Sequence, residues 1–287
     1  WEILARLARA QGRFERLADI YAEALSGIEM DEPATAELAG ITARLYDERV
    51  NDAAKAAPFY ARALRFDPTD RASFDALESV YRRTNGWDDL LGLYRERVDV
   101  AESDAERVSL LHRIAGVEET QKENVDAAID AYRQAVEIDP QDRPAVDSLD
   151  RLFTGSQRWQ DLADLLRFRV EQSQSSVEQN EHRHRLGQLL AGPLEDYEGA
   201  LDVFEEVVNV DPLHGATIQA LEQLVMREDQ RLRITQILEP IYRRTDEWMK
   251  LIAIWEAQVE LTQEAHEKAR LLGEIGRMHE TRGRDAG

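Results

Sequence analysis

Residues Leu111–Pro140 read LHRIAGVEETQKENVDAAIDAYRQAVEIDP, and their landmarks recur at a fixed spacing on either side. Ala128 is matched by Ala56 and Ala200, Tyr132 by Tyr60 and Phe204, and the triplet starting at Ile138 by those starting at Phe66 and Val210, a constant offset of 72 in the numbering. A fixed internal period marks a chain built by stacking one supersecondary unit, so repetition is read before any single residue. Leu110, Leu111, Ile114 and Val117 share one helical face, and Val125, Ile129, Tyr132 and Val136 share another. The stretch is one helical hairpin, half of a two-hairpin unit.

Outward from it, the same pattern runs along the whole chain. Phe74, Leu77, Val80 and Tyr81 followed by Trp87, Leu90, Leu91, Tyr94 and Val98 form a hairpin that returns as Val146, Leu149 and Phe153, then Trp159, Leu162 and Leu166. Leu186, Leu189 and Leu190, a Gly192-Pro193 stop, then Tyr197, Leu201, Phe204 and Val208 begin the third cycle. Toward the start, Trp1, Leu4, Leu7 and Ala8 face Phe14, Leu17, Ile20, Tyr21 and Leu25 across a turn at Gly12. Leu38, Ile41, Leu45 and Tyr46 follow, in a helix opened by Glu32 and Pro33, where proline's missing N–H costs little. Pro58 inside the helix from about Asp52 to Phe66 predicts a kink, not a break. Asp70 reads as an N-cap, Asn85-Gly86 as a stop, and Ser103 with Glu106 as a capping box.

The period changes once. The tryptophan expected at position 231 is Arg231, and YRRTDEW from Tyr242 copies YRRTNGW from Tyr81, so the step from Trp159 to Trp248 is longer than the step from Trp87 to Trp159. One additional helix is expected, at Ile218–Val225 or at Ile234–Tyr242 with its interior Pro240, and local curvature should change near residue 230. Residues 1–230 read as a regular array and 231–287 as its continuation, together one domain of about 16 helices. Leu251, Ile252 and Trp255, then Leu271, Leu272, Ile275 and Met278, resume the pattern. Both ends read as cut within a repeat.

Composition agrees with helix. Gly (15) and Pro (8) are few in 287 residues, and hydrophobic residues make up 43%, enough for a continuous core. A formal charge of −21 disfavours binding to nucleic acid or an anionic membrane. The absence of cysteine excludes disulfides and thiolate sites. No apolar run reaches membrane-spanning length and no signal peptide is visible; the compartment stays open, with the cytoplasm favoured.

These residues resemble the tetratricopeptide repeat, whose motif is W-x2-L-G-x2-Y, then A-x3-F, then P, in a helix-turn-helix of ~34 residues. Trp1-x2-Leu4 with Gly12, Phe14 and Tyr21 resembles one copy. Arg183-x2-Leu186-Gly187-x2-Leu190 with Ala200-x3-Phe204 and Pro212 resembles another, and Leu272-x2-Ile275-Gly276-x2-His279 begins the last. Phe74-x2-Leu77-x3-Tyr81 and Val146-x2-Leu149-x3-Phe153 match too, but place Glu78 and Asp150 where the small residue belongs. The resemblance implies an all-α, right-handed α-solenoid of antiparallel hairpins. Small residues let paired helices approach, and Tyr60, Tyr132 and Phe204 fill the space between successive hairpins.

Chemistry is not written in the chain. No phosphate loop, nucleophile elbow or dinucleotide fingerprint occurs, and His182 and His184 are two apart on a helix where a metal pair needs three or four. The expectation is a protein that is not an enzyme and uses no cofactor or metal. What the resemblance implies instead is a concave surface, lined by first helices, that receives a peptide or helix of another protein, with no nucleic-acid or membrane partner. The repeat register puts Arg44, Arg82, Arg83, His112, Arg151, His184, Arg243 and Arg244 on that face or its rim, a ladder suited to an acidic partner. Asp75, Glu119 and Asp147 sit nearby and offer internal neutralisation instead, and the carboxylate clamp of chaperone-binding members is not recognisable. Self-assembly through the terminal hairpins, and a regulatory region of a larger enzyme, are the alternatives.

Overall fold

A computed structural model describes residues 6, 8, 10–27 and 31–282. These form fifteen α-helices: α1 (Phe14–Gly27), α2 (Glu32–Arg44), α3 (Ala53–Phe66), α4 (Arg71–Thr84), α5 (Trp87–Val100), α6 (Asp104–Thr120), α7 (Val125–Ile138), α8 (Arg143–Gly155), α9 (Trp159–Gln172), α10 (Ser176–Ala191), α11 (Tyr197–Val210), α12 (Gly215–Leu224), α13 (Arg231–Thr245), α14 (Trp248–Leu261) and α15 (Ala265–Arg282). No strand occurs among the described residues. The helix expected at Trp1, Leu4 and Leu7 rests on residues outside the described ones. The chain divides into two compact units, Trp1–Ser148 and Leu149–Gly287, and in each the helices pack on their neighbours in sequence.

The boundaries follow local chemistry. Side chains of Asp31, Asp52, Asp70, Asn124 and Asp196 each accept a hydrogen bond from a first-turn N–H, relieving donors that have no partner within the helix. At the expected capping box only one half forms: Ser103 accepts from the Glu106 N–H at 3.2 Å, while the Glu106 carboxylate is taken by Arg97 at 2.8 Å. Pro33 sits in the first turn of α2, and α3 continues unbroken through Pro58. Beyond α2 the chain widens, with Leu45–Val50 in a π-helical turn closed by Asn51.

Left-handed turn residues follow the same period. Asn51, Glu123 and Glu195, equivalent in three successive copies, all have positive φ (61°, 52° and 53°), as do Asn85 and Gln157 (55° and 57°) and, after the longer step, Asp246 (57°). A residue with a Cβ pays for this region of backbone space, asparagine and aspartate less than the rest. Both stretches considered for the additional helix are helical: α12 spans ten residues and α13 contains Pro240.

Within each unit the core is built from side chains of successive helices. Tyr60, Tyr132 and Phe204 are buried, and so are the small residues Ala43, Ala115 and Gly187 at one register position of the preceding helix. In the third copy the ring has moved in so far that a Cβ on Gly187 would lie 2.3 Å from Phe204 Cε1. Burying a ring of this size contributes about 1.5–3 kcal/mol, so each interface is held largely by this contact. The tryptophans that open α5, α9 and α14 are half-buried, and Trp255 is fully buried.

Two glycines in α6 and α10 should therefore answer oppositely to alanine. Gly187→Ala is expected to lose about 1–2 kcal/mol, overpacking outweighing helix propensity. Gly116→Ala, whose Cβ would meet nothing within 4 Å, should gain about 0.5–1 kcal/mol. Urea unfolding of both variants measures the difference in sign. Glu123→Asn, which puts at the second turn the residue found at the first, should raise stability by about 0.5 kcal/mol in the same assay.

Candidate functional site

The candidate cations all lie on α2, α4, α6, α8, α10 and α13, but their surroundings differ. Glu78 of α4, at the position where the repeat motif has a small residue, sits at the centre of a network. Arg82 Nε donates to its Oε1 at 3.1 Å, the Tyr94 hydroxyl donates to the same oxygen at 2.7 Å, and Arg113 of α6 donates to Oε2 at 2.7 Å. Arg82 Nη2 also donates to the Tyr94 oxygen at 2.9 Å. Burial, and then the Glu78 carboxylate, push the Tyr94 phenol up to about 12.

The other unit repeats the arrangement. Asp150 of α8, the counterpart of Glu78 one period on, receives Arg185 of α10 through both carboxylate oxygens and Arg169 of α9 at 3.3 Å. Glu239 of α13 receives Arg243 at 2.8 Å and Gln258 at 3.4 Å, and the Arg243 guanidinium lies over the Trp255 ring at 5.1 Å. These acids tie a first helix to the next helices. Arg82 and Arg243 belong to those ties.

Arg83 is likewise paired, with Asp47 of the π turn. The acids that neutralise Arg82, Arg83 and Arg243 are Glu78, Asp47 and Glu239. Arg151 is exposed on α8 and is not a free cation. Arg44 and Arg244 are exposed and make no ion pair among the described residues. Each borders a cleft. Arg44 lines one of about 440 Å³ with Glu37, Gly40, Phe66 and Asp70; Arg244 lines one of about 230 Å³ with Asn209, Pro212, Gln236 and Pro240. Pro240 cannot donate to the Gln236 carbonyl four residues back, which leaves a backbone acceptor beside that second cleft.

The two histidines face the next first helix. His112 Nε2 meets Asp142 Oδ2 at 2.5 Å, with its ring edge against Tyr132 at 5.6 Å. His184 Nδ1 meets Thr217 Oγ1 at 3.0 Å, and its ring lies 5.4 Å from His214 and 5.9 Å from Phe204. His214 caps α12: its Nδ1 accepts from the Thr217 N–H at 3.3 Å and lies 2.8 Å from the Thr217 hydroxyl. With that nitrogen an acceptor, the hydroxyl donates to His214 and accepts from the His184 Nδ1–H. Burial, and then the neighbouring His214, hold His184 below the usual histidine range. Burial, and then Arg169, act on His182 in the same direction.

No group of three or more His, Cys, Asp or Glu residues suited to a metal occurs among the described residues. What sequence reading missed were the acids Glu78, Asp150 and Glu239 as anchors. Their shared register was the available signal.

A depressed histidine binds its proton more readily in the unfolded chain. The stability it contributes is present above the ordinary value of 6.5 and is lost as pH falls below it toward the lowered folded value. The thermal midpoint should therefore drop between about pH 7 and pH 5. In His184→Phe the drop should be smaller, as followed by circular dichroism across that range.

Sequence profiles of the tetratricopeptide repeat match residues 1–34, 73–108 and 110–142. No curated protein matches the chain. Among solved structures, YrrB, described as a TPR protein with an unusual peptide-binding site, is 18% identical, with 71% of this chain and 99% of that one covered and a TM-score of 0.33. A tetratricopeptide repeat protein from Parabacteroides merdae is 12% identical over 84% of this chain and 98% of its own, TM-score 0.34. The P58(IPK) TPR domain is 13% identical over 96% and 76%, TM-score 0.34. With matched repeats in three places and helical hairpins recurring through its described residues, this chain carries tetratricopeptide repeats at residues 1–34, 73–108 and 110–142.

Proposed function

We propose that the protein is a non-enzymatic scaffold that binds a peptide or helix of another protein across the first-helix face. The observation that carries this reading is the contrast among its arginines. Arg82, Arg83 and Arg243 are consumed by internal carboxylates, whereas Arg44 and Arg244 stay exposed without an ion pair among the described residues, each beside a cleft. An exposed guanidinium next to a concave, partly apolar surface suits a carboxylate of a partner segment, since its planar fork of donors matches that group. The Arg244 cleft is lined by the buried Val208, Ile237 and Ile241, by Pro212 and Pro240, and by Glu205, Asn209 and Gln236. An apolar lining with a few polar groups is the usual composition of a recognition pocket.

Arg44 and Arg83 also flank Tyr60, whose phenol burial pushes up to about 12, with Asp47 and Glu48 adding to the shift and the two arginines opposing it. Binding at Arg44 would thus be felt at the buried ring that joins two hairpins.

The test is selection of displayed dodecapeptides on the intact chain, followed by titration calorimetry of the enriched sequences. Arg44→Glu with Arg244→Glu should weaken binding by about 10-fold or more, the loss of one or two charge-assisted contacts. Peptides that bind the double variant as well as the parent overturn the assignment of these arginines. Failure to enrich any peptide overturns the scaffold reading.

A further inference from the structure

Gly40, His112 and His184 occupy one register position in three successive copies, and so do Asp70, Asp142 and His214 at the start of the next first helix, and Ser73, Ala145 and Thr217 inside it. In the second copy the imidazole at this position pairs with the acid just before α8, His112 on Asp142 at 2.5 Å. In the third the imidazole at this position takes the hydroxyl, His184 on Thr217 at 3.0 Å. The first copy has both receiving groups and no ring. A Cβ on Gly40 would meet only Ser73 Oγ, at 3.7 Å, and Ser73 is a buried residue. Where the ring is missing, the surface opens into the cleft of about 440 Å³ bordered by Gly40 and Asp70.

We infer that this cleft receives a planar basic side chain, imidazolium or guanidinium, from the partner segment, which there completes the contact that the chain's own histidine makes in the other two copies. The inference rests on the scaffold reading and names the partner's chemistry at one place in it. Three observations converge on a cation. The equivalent acid already holds an imidazole; Glu32, Glu37 and Asp67 line the cleft together with Asp70 against the one cation Arg44; and Phe66, 37% exposed, offers a ring face. Carboxylates in a partly desolvated concavity attract a cation more strongly than the same charges on an open surface. Arg44 at the edge then suits an acidic neighbour of that basic residue in the partner.

The test uses four acetylated, amidated tripeptides, Ala-X-Ala with X as His, Arg, Lys or Leu, with amide chemical-shift mapping on the intact chain near pH 6. The His and Arg peptides should shift Gly40, Ala36 and Asp70 in a saturable way, Lys less, and Leu not at all. Asp70→Asn keeps the α4 cap, since asparagine caps as well as aspartate, and should weaken the His and Arg peptides about 10-fold. Gly40→His, which has room for its Cβ, should fill the cleft, abolish the shifts and raise the thermal midpoint. Equal response to Leu, shifts that persist in both variants, or no shift at these amides overturns the inference. Shifts at other amides alone overturn it while leaving the scaffold reading standing, which the display selection tests separately.

Discussion

The close approach of a first helix to the ring on its partner is the constraint from which the rest of the structure follows. Ala43, Ala115 and Gly187 are small because Tyr60, Tyr132 and Phe204 need the space, and no single hairpin could bury those rings against anything else. Once the approach is set, the register of every other contact is set with it. The residue at position 40, 112 or 184 lies opposite the start of the next first helix, and the acid at 78 or 150 lies within reach of the arginine at 113 or 185.

That geometry explains the departures from the repeat motif. A small residue at 78, 150 or 239 would allow tight apolar packing; the acid found there instead gathers two or more donors from its own and neighbouring helices. Such partly exposed ion pairs contribute modestly to stability one by one. Their larger effect is on the surface, because they occupy Arg82 and Arg243 with internal carboxylates. In a protein of net charge −21, Arg44 and Arg244, exposed beside their clefts and without an ion pair among the described residues, are chemically distinct places.

Much of the fold was legible in the residues. The apolar periodicity, the caps at Asp70 and Ser103, the stop at Asn85 and the tryptophans that begin helices all depend on neighbours within a turn or two, and these are found where the pattern put them. The arginine ladder was less legible. Spacing places Arg44, Arg82 and Arg83 on first helices equally well, yet the first is unpaired and the other two are held by Glu78 and Asp47. Asp75, close to Arg82 in sequence, is not the acid that takes it.

By itself, then, the sequence determined that the chain is a helical array whose constant period carries Ala56 onto Ala128 and Ala200, where its helices start and stop, and which faces are apolar. Those properties are written in interactions between residues three or four apart. Only the tertiary structure decided which acid meets which arginine, and that the glycine at position 40 leaves vacant a place that histidine fills elsewhere. The physical reason is range. Those contacts join side chains far apart in the chain and on different helices, as Asp47 with Arg83, His112 with Asp142 and Glu78 with Arg113. Their partners are chosen by helix approach and side-chain reach rather than by spacing along the chain.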